Sequence, residues 1–250
     1  MTDIKELLDS EAARINSPEF IGADPVQFPR RFEALQDIEI VALLSATIAW
    51  GNRKMICSNC EKMLRIMDYR PYYYVMSEAY EDLEDCNIHR TFFARDFRHY
   101  MRGLHAIYSR HGSLADFARH CGMATADFPA WHLVEHLNNV LREANDGHDD
   151  SRCLPLNLRT TALKRINMAL RWLVRDDGIV DLGVWDVIKP SQLFIPLDVH
   201  VGDTARQLGL IDRRANDRRT VEELTAILRQ FRPDDPVIYD YALFGIGMKL

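Results

Sequence analysis

No apolar run in the 250 residues approaches the roughly 18 that a membrane-spanning helix needs. The start also lacks the basic region and apolar stretch of a secretory leader, so a cytoplasmic protein is expected, nucleoid-associated if it works on DNA. Cysteine is scarce: Cys57, Cys60, Cys86, Cys121 and Cys153 are odd in number and unevenly spaced, which argues against a disulfide framework. The pattern Cys57-x-x-Cys60 followed by Cys86-x-x-His89 has the look of a zinc site. However, "GNRKMICSNCEKMLRIM" reads as a helix, where cysteines three apart share one face, so no metal is expected. Runs of alternating apolar residues are almost absent, as are internal repeats and low-complexity segments. There is no G-x-x-x-x-G-K-[ST] loop to support a nucleoside triphosphatase.

With 47% hydrophobic and 27% charged residues, the chain has the composition of an ordinary globular protein with a sizeable core. Helical periodicity dominates. An apolar helix is expected over 37–50, a second over 54–67, and amphipathic helices over 91–112 and 131–145. Ser113 offers an N-cap for "LADFARHCG". The stretch 146–158 is polar and turn-rich, and 175–193 is irregular. Helices resume over 199–208, 220–231 and 237–247. The fold is therefore expected to be all-α.

A formal charge of −6 argues against a protein that coats nucleic acid non-specifically, yet the charge is unevenly placed. Acid gathers in "EAYEDLEDC" (78–86), a solvated face that disfavours a closely packed homodimer there. Five cations, Arg159, Lys164, Arg165, Arg171 and Arg175, occupy 159–175 without one carboxylate. A second basic group follows at Arg206, Arg213, Arg214, Arg218 and Arg219. In the first group, Leu163, Ile166, Leu170 and Leu173 repeat at helical spacing and face a core, which places Lys164, Arg171 and Arg175 on one opposite face. A solvated basic surface is the ordinary reading of such a run. Two features oppose it. These cations have no acidic partner in their own helix, so their charge must be answered from outside it. Lys164 also opens the helix, where the dipole disfavours a cation, and with Arg165 and Arg171 nearby that favours the neutral, nucleophilic amine.

The stretch "IPLDVHVGDTARQLGL" (195–210) supplies the acid. Asp198 is a good N-cap for a helix that Gly209 ends, and a capping carboxylate is also rigidly held. It resembles the segment after the hairpin in helix-hairpin-helix DNA glycosylases, where P-x-D-x-H-V opens a helix ending in R-x-L-G-L. "IEIVALLSATIAWGNRK" resembles the helix of that superfamily that ends in the base-extrusion loop. The 34-residue separation of Lys164 and Asp198, and "KRINMAL", are closer to the archaeal 8-oxoguanine glycosylase branch. The whole chain also resembles a bacterial family described only as a domain of unknown function, with a K-R-x-N-M-x-L-R-W core.

The resemblance spans roughly residues 35 to 210. It implies an all-α, two-lobed fold with the active site in the interlobe cleft, divided here as 35–175 against 1–34 plus 176–250. It implies a bifunctional DNA glycosylase and AP lyase acting on an oxidised purine, most readily 8-oxoguanine, with Lys164 as Schiff-base nucleophile and Asp198 as its electrostatic and proton-transfer partner. Trp50 would stack on a base or fill the void in the duplex, or else be a core tryptophan. Pro196 would offer its carbonyl to the flipped base. Asp240, in "YDYALFGIG", would line the pocket or cap a helix. Arg53, Arg159, Arg165, Arg171 and Arg175 would hold phosphates. The partner is double-stranded DNA carrying a damaged base, bound by a monomer with no cofactor, membrane or obligate protein partner. One departure is clear: the hairpin L-P-G-V-G followed by R-K-T-A reads "LPLNLRTTA" (154–162), with Leu156 and Leu158 in place of glycines. On that alignment the lysine position falls on Thr160, which cannot form an imine. The iron–sulfur cysteines of some members are also missing, since Cys153 is the last cysteine. Two alternatives stay open: a catalytically silent helical module that binds DNA or a damaged base, and a helical protein that binds RNA or a nucleotide.

Overall fold

The computed structural model describes residues 2–250. The fold is all-α: the described strands are one short antiparallel pair, β1 (Asn87–His89) and β2 (Phe92–Phe93). Contacts divide the chain into two units, 1–22 with 159–250, and 23–158. This boundary differs from the division at 34/35 and 175/176 read from the sequence, and it places the basic helix with the C-terminal residues. Among the described residues no helix is long and apolar enough to cross a membrane.

The first unit holds α1 (Thr2–Ile15), the short α2 (Pro18–Ile21) and, from the C-terminal half, α9 (Lys164–Val174), α10 (Val199–Gln207), α11 (Arg218–Phe231) and α12 (Tyr239–Met248). Helix α12 is buried on both sides because its glycines admit neighbours. A Cβ at Gly245 would lie 2.6 Å from Ile15 of α1, and one at Gly247 would lie 2.7 Å from Thr204 of α10. Positions two apart on a helix face nearly opposite ways, so one Gly-x-Gly serves two packing partners. Helix α11 buries Val221, Leu224 and Leu228 along one stripe, each contributing about 1.5–3 kcal/mol by leaving water. Asp198 caps α10 through Val201 N at 3.0 Å, and Asp217 caps α11 through Thr220 N at 3.0 Å.

The second unit holds α3 (Leu35–Thr47), α4 (Arg53–Ile66), α5 (Pro71–Met76), the β pair, α6 (Ala94–Tyr108), α7 (Leu114–His120) and α8 (Pro129–Glu143). Helix α3 is buried from Ile38 to Thr47, including Glu39. That carboxylate is satisfied: it accepts from Leu114 N and Ala115 N at 2.8 Å and from the Tyr108 hydroxyl at 3.0 Å. A buried acid is tolerable when the open amides of a helix start receive it. Helix α6 packs on α8, and Gly103 lets Leu141 approach to where a Cβ would be 2.4 Å away. Part of the acidic stretch 78–86 answers arginines of α6: Glu81 pairs with Arg102 at 2.5 Å and Asp85 with Arg98 at 2.9 Å.

Candidate active site at the start of the basic helix

Within the first unit the structure brings Lys164 and Asp198 together across 34 residues of chain, Nζ to Oδ2 at 3.9 Å. Each is held by its helix. Lys164 is the first residue of α9, preceded by Leu163 in the left-handed conformation (φ 49°). Asn167 ties that entry down: its Nδ2 donates to Ala162 O at 3.1 Å and its backbone N–H to Leu163 O at 2.9 Å. Asp198 is fixed as the cap of α10 through one carboxylate oxygen, and the other faces the lysine. The side chains keep 28% and 23% of their exposure, so both can meet a ligand. At 3.9 Å they attract without forming a hydrogen bond.

The conformation of the preceding segment accounts for its missing glycines. Between Gly147 and Leu163 no residue has positive φ, so Leu156 and Leu158 stand where no glycine is required. The left-handed turn falls instead on Leu163, which is buried.

Arg171 and Arg175 are not on an exposed face, which corrects the expectation that they hold DNA phosphates. Each is only 3% exposed. Arg171 pairs with Asp181 (3.3 Å) and with Asp240, and lies 4.2 Å over the Tyr241 ring. Arg175 pairs with Asp181, with Asp177 at 3.0 Å and with Asp235 at 2.8 Å. The charge is indeed answered from outside the helix, but by the protein's own carboxylates. Burial works against the Arg175 cation, yet the hydrogen bond and charge of Asp235 and the charge of Asp181 raise its pKa above the ordinary value. Burial pushes the Asp181 carboxyl up although both arginines oppose it. Such a ladder of alternating charge is stable only because every member has a partner.

Asp240 is likewise no open lining residue: it is 6% exposed, and Arg171 takes one oxygen. Burial raises its pKa to about 6. Arg171 opposes the rise, Asp198 adds to it and Lys164 reduces it, so all four groups form one electrostatic cluster. Asp177, Asp181 and Asp235 escaped sequence reasoning. Their signal is the acid in "RDDGIVD" and "PDDP", which gains meaning only once the arginines are known to be buried.

Among the other expected residues, Pro196 is buried, Arg159 is exposed and Arg165 is half-buried. Trp50 and Arg53 belong to the second unit. Trp50 is half-buried, with its ring edge-on to His89 at 4.6 Å. Asn59 Nδ2 donates to His89 Nδ1 at 2.8 Å, so the His89 proton sits on Nε2 and is donated to Trp50 O at 2.9 Å. Burial lowers the His89 pKa, although the bond to Trp50 O partly offsets this. Arg53 pairs with Asp24 at 3.6 Å. Among the described residues no three His, Cys, Asp or Glu side chains are placed to hold a metal ion. Burial raises the Cys60 thiol to about 12.

The loop that delivers Asp181 depends on Gly183, at φ 62°, where a Cβ would meet the Asp176 backbone Cα at 2.7 Å. Gly183→Ala is therefore expected to destabilise the protein by about 1–3 kcal/mol, measured as a lowered midpoint in urea unfolding.

The model of a family described as "Protein of unknown function (DUF2400)" matches residues 24–249. No curated protein and no solved structure matches the chain.

Proposed function

The chain belongs to the DUF2400 family, and we propose that this member is a DNA glycosylase with AP lyase activity, acting on an oxidised purine such as 8-oxoguanine in double-stranded DNA. One observation carries the reading: a part-exposed lysine at a helix start lies 3.9 Å from a part-exposed carboxylate that is locked as a helix cap. This is the nucleophile and acid that the resemblance to helix-hairpin-helix glycosylases assigns to Lys164 and Asp198.

The chemistry suits these two groups. A base in duplex DNA is first flipped out, at a cost of about a few kcal/mol. As the C1′–N9 bond lengthens, its electrons leave with the base and positive charge grows on the sugar. The Asp198 carboxylate stabilises that charge. The Lys164 lone pair forms the new C1′–N bond, and Asp198 accepts the proton released from the alkylated amine. Return of that proton to O4′ opens the sugar to a C1′ imine. Loss of a C2′ proton then expels the 3′ phosphate, and water releases the lysine. With Arg171 and Arg175 paired to carboxylates of the protein, the phosphate contacts proposed in this unit are those of Arg159 and Arg165.

The test is borohydride trapping on a duplex carrying 8-oxoguanine. The wild-type protein is expected to give a covalent adduct, and Lys164→Gln to lose at least roughly 10³-fold of it. Tight binding to the duplex with no adduct from the wild-type protein would replace this reading with a silent binding module.

A further inference from the structure

The second basic group of the sequence has no part in the steps above. Most of it lies in "RRANDRR" (213–219), the stretch that leads from α10 into α11 and carries four arginines in seven residues. Two hydrogen bonds fasten this stretch to the two segments that present the Lys164–Asp198 pair. Arg218 donates its backbone N–H to Thr160 O at 2.9 Å, just ahead of α9. Asn216 Nδ2 donates to Asp198 O at 3.2 Å, at the start of α10. Arg206 of α10 braces the loop: its Nε donates to Arg213 O at 2.7 Å, and its Nη2 to Arg214 O at 3.0 Å and to Asn216 Oδ1. The fit is so close that a Cβ at Gly202 would lie 2.6 Å from Asn216 Oδ1.

The four arginines divide into two kinds. Arg213 pairs with Asp217 at 2.7 Å and Arg218 with Glu222 at 2.8 Å. Arg214 and Arg219 are exposed and meet no carboxylate among the described residues. Asp217 already caps α11 through Thr220 N, so the charge on offer is that of the two side chains and not of the helix start. The bond from Arg218 to Thr160 also sets Arg219 and the exposed Arg159 each one residue from the same contact. A rigid loop beside a reacting pair, with two unanswered guanidinium groups, suits a polyanion that runs past the site. Arginine matches phosphate oxygens in a fixed fork.

We propose that the loop 213–219 is a phosphate clamp, in which Arg214 and Arg219 hold the backbone of the DNA beside the nucleotide that Lys164 attacks. This rests on the glycosylase reading above and extends the contacts proposed for Arg159 and Arg165. Such contacts position the duplex and carry no sequence preference.

The experiment measures affinity for a duplex carrying tetrahydrofuran, an abasic analogue that cannot form an imine, by fluorescence anisotropy between about 50 and 200 mM salt. Each phosphate contact contributes roughly 0.9 to the slope of log affinity against log salt. Arg214→Gln with Arg219→Gln should therefore flatten the slope by about 1.8 and weaken binding about 10-fold, equally on an undamaged duplex. Each single variant should give about half of the slope change. Lys5→Gln with Arg14→Gln removes the same charge from α1, where these cations already answer Asp9 and Glu11, and should leave the slope as it is. An unchanged slope in the Arg214 and Arg219 variant overturns the proposal. So does a loss confined to single-stranded RNA of the same length, which would make RNA the partner, and so does a wild-type protein that binds no duplex. Borohydride trapping separates this proposal from the reading it rests on. A flattened slope with no trapping by the wild-type protein contradicts the lyase chemistry and leaves the clamp standing as a duplex-binding surface. Trapping on Lys164 with an unchanged slope does the reverse.

Discussion

Arg171→Ala is expected to destabilise the protein by about 3–5 kcal/mol, the penalty for removing one partner of a buried ion pair. Arg171 answers Asp240 and shares Asp181 with Arg175. Without it, Asp181 keeps one guanidinium and Asp240 keeps none. The loss should depend on pH in a defined direction. The Asp240 carboxyl already lies near 6 with Arg171 present, and removing the cation moves it higher. The variant can therefore relieve itself by protonation in mild acid but must carry an unpaired buried charge at alkaline pH. Urea unfolding should show a larger deficit at pH 8 than at pH 5. Adding Asp240→Asn to Arg171→Ala should recover part of the loss at pH 8, because the double variant no longer buries that charge. An Arg171→Ala deficit below about 1 kcal/mol, the range of exposed pairs, would mean that the ladder is open to solvent.

Asp198→Asn separates the two roles of one carboxylate. Asparagine caps a helix as well as aspartate does, so the bond to Val201 N can be kept and unfolding should shift by less than about 0.5 kcal/mol. The chemistry should fare differently. An amide cannot stabilise a growing positive charge or accept the lysine proton, and excision of the base is expected to slow by roughly 10²–10³-fold. Trapping on a duplex that already contains an abasic site should fall less, because there the glycosidic bond is already broken. Single-turnover excision and trapping, measured on the same preparations, check both statements. Equal losses in the two assays would assign Asp198 to imine formation rather than to bond cleavage.

Most of the helical framework was legible in the sequence because its cause is local. The periodic apolar positions of α3, α6, α8 and α11 and the caps Ser113 and Asp198 stand within a few residues of where the pattern puts them. Helix α1 escaped the reading, although Leu8, Ala12 and Ile15 are its buried stripe. Lys164 and Asp198 were singled out through resemblance, and the structure places them 3.9 Å apart. The fate of Arg171 and Arg175 was not. Spacing shows that they share a face, but whether that face meets water or carboxylates depends on Asp181, Asp235 and Asp240, which lie 10, 60 and 69 residues from the arginines they meet. Pairings at that range are set by tertiary packing. The same limit applies to Leu163, whose left-handed turn replaces the glycines of the expected hairpin.

The central claim, a lysine that forms an imine with sugar C1′, is met most directly by locating the covalent bond. The protein is incubated with an abasic duplex, reduced with borohydride and digested, and the peptide that carries the sugar remnant is sequenced by mass spectrometry. One modified residue is expected, Lys164. An adduct on a different lysine or on the N-terminal amine, or no adduct from a protein that binds the duplex, would contradict it.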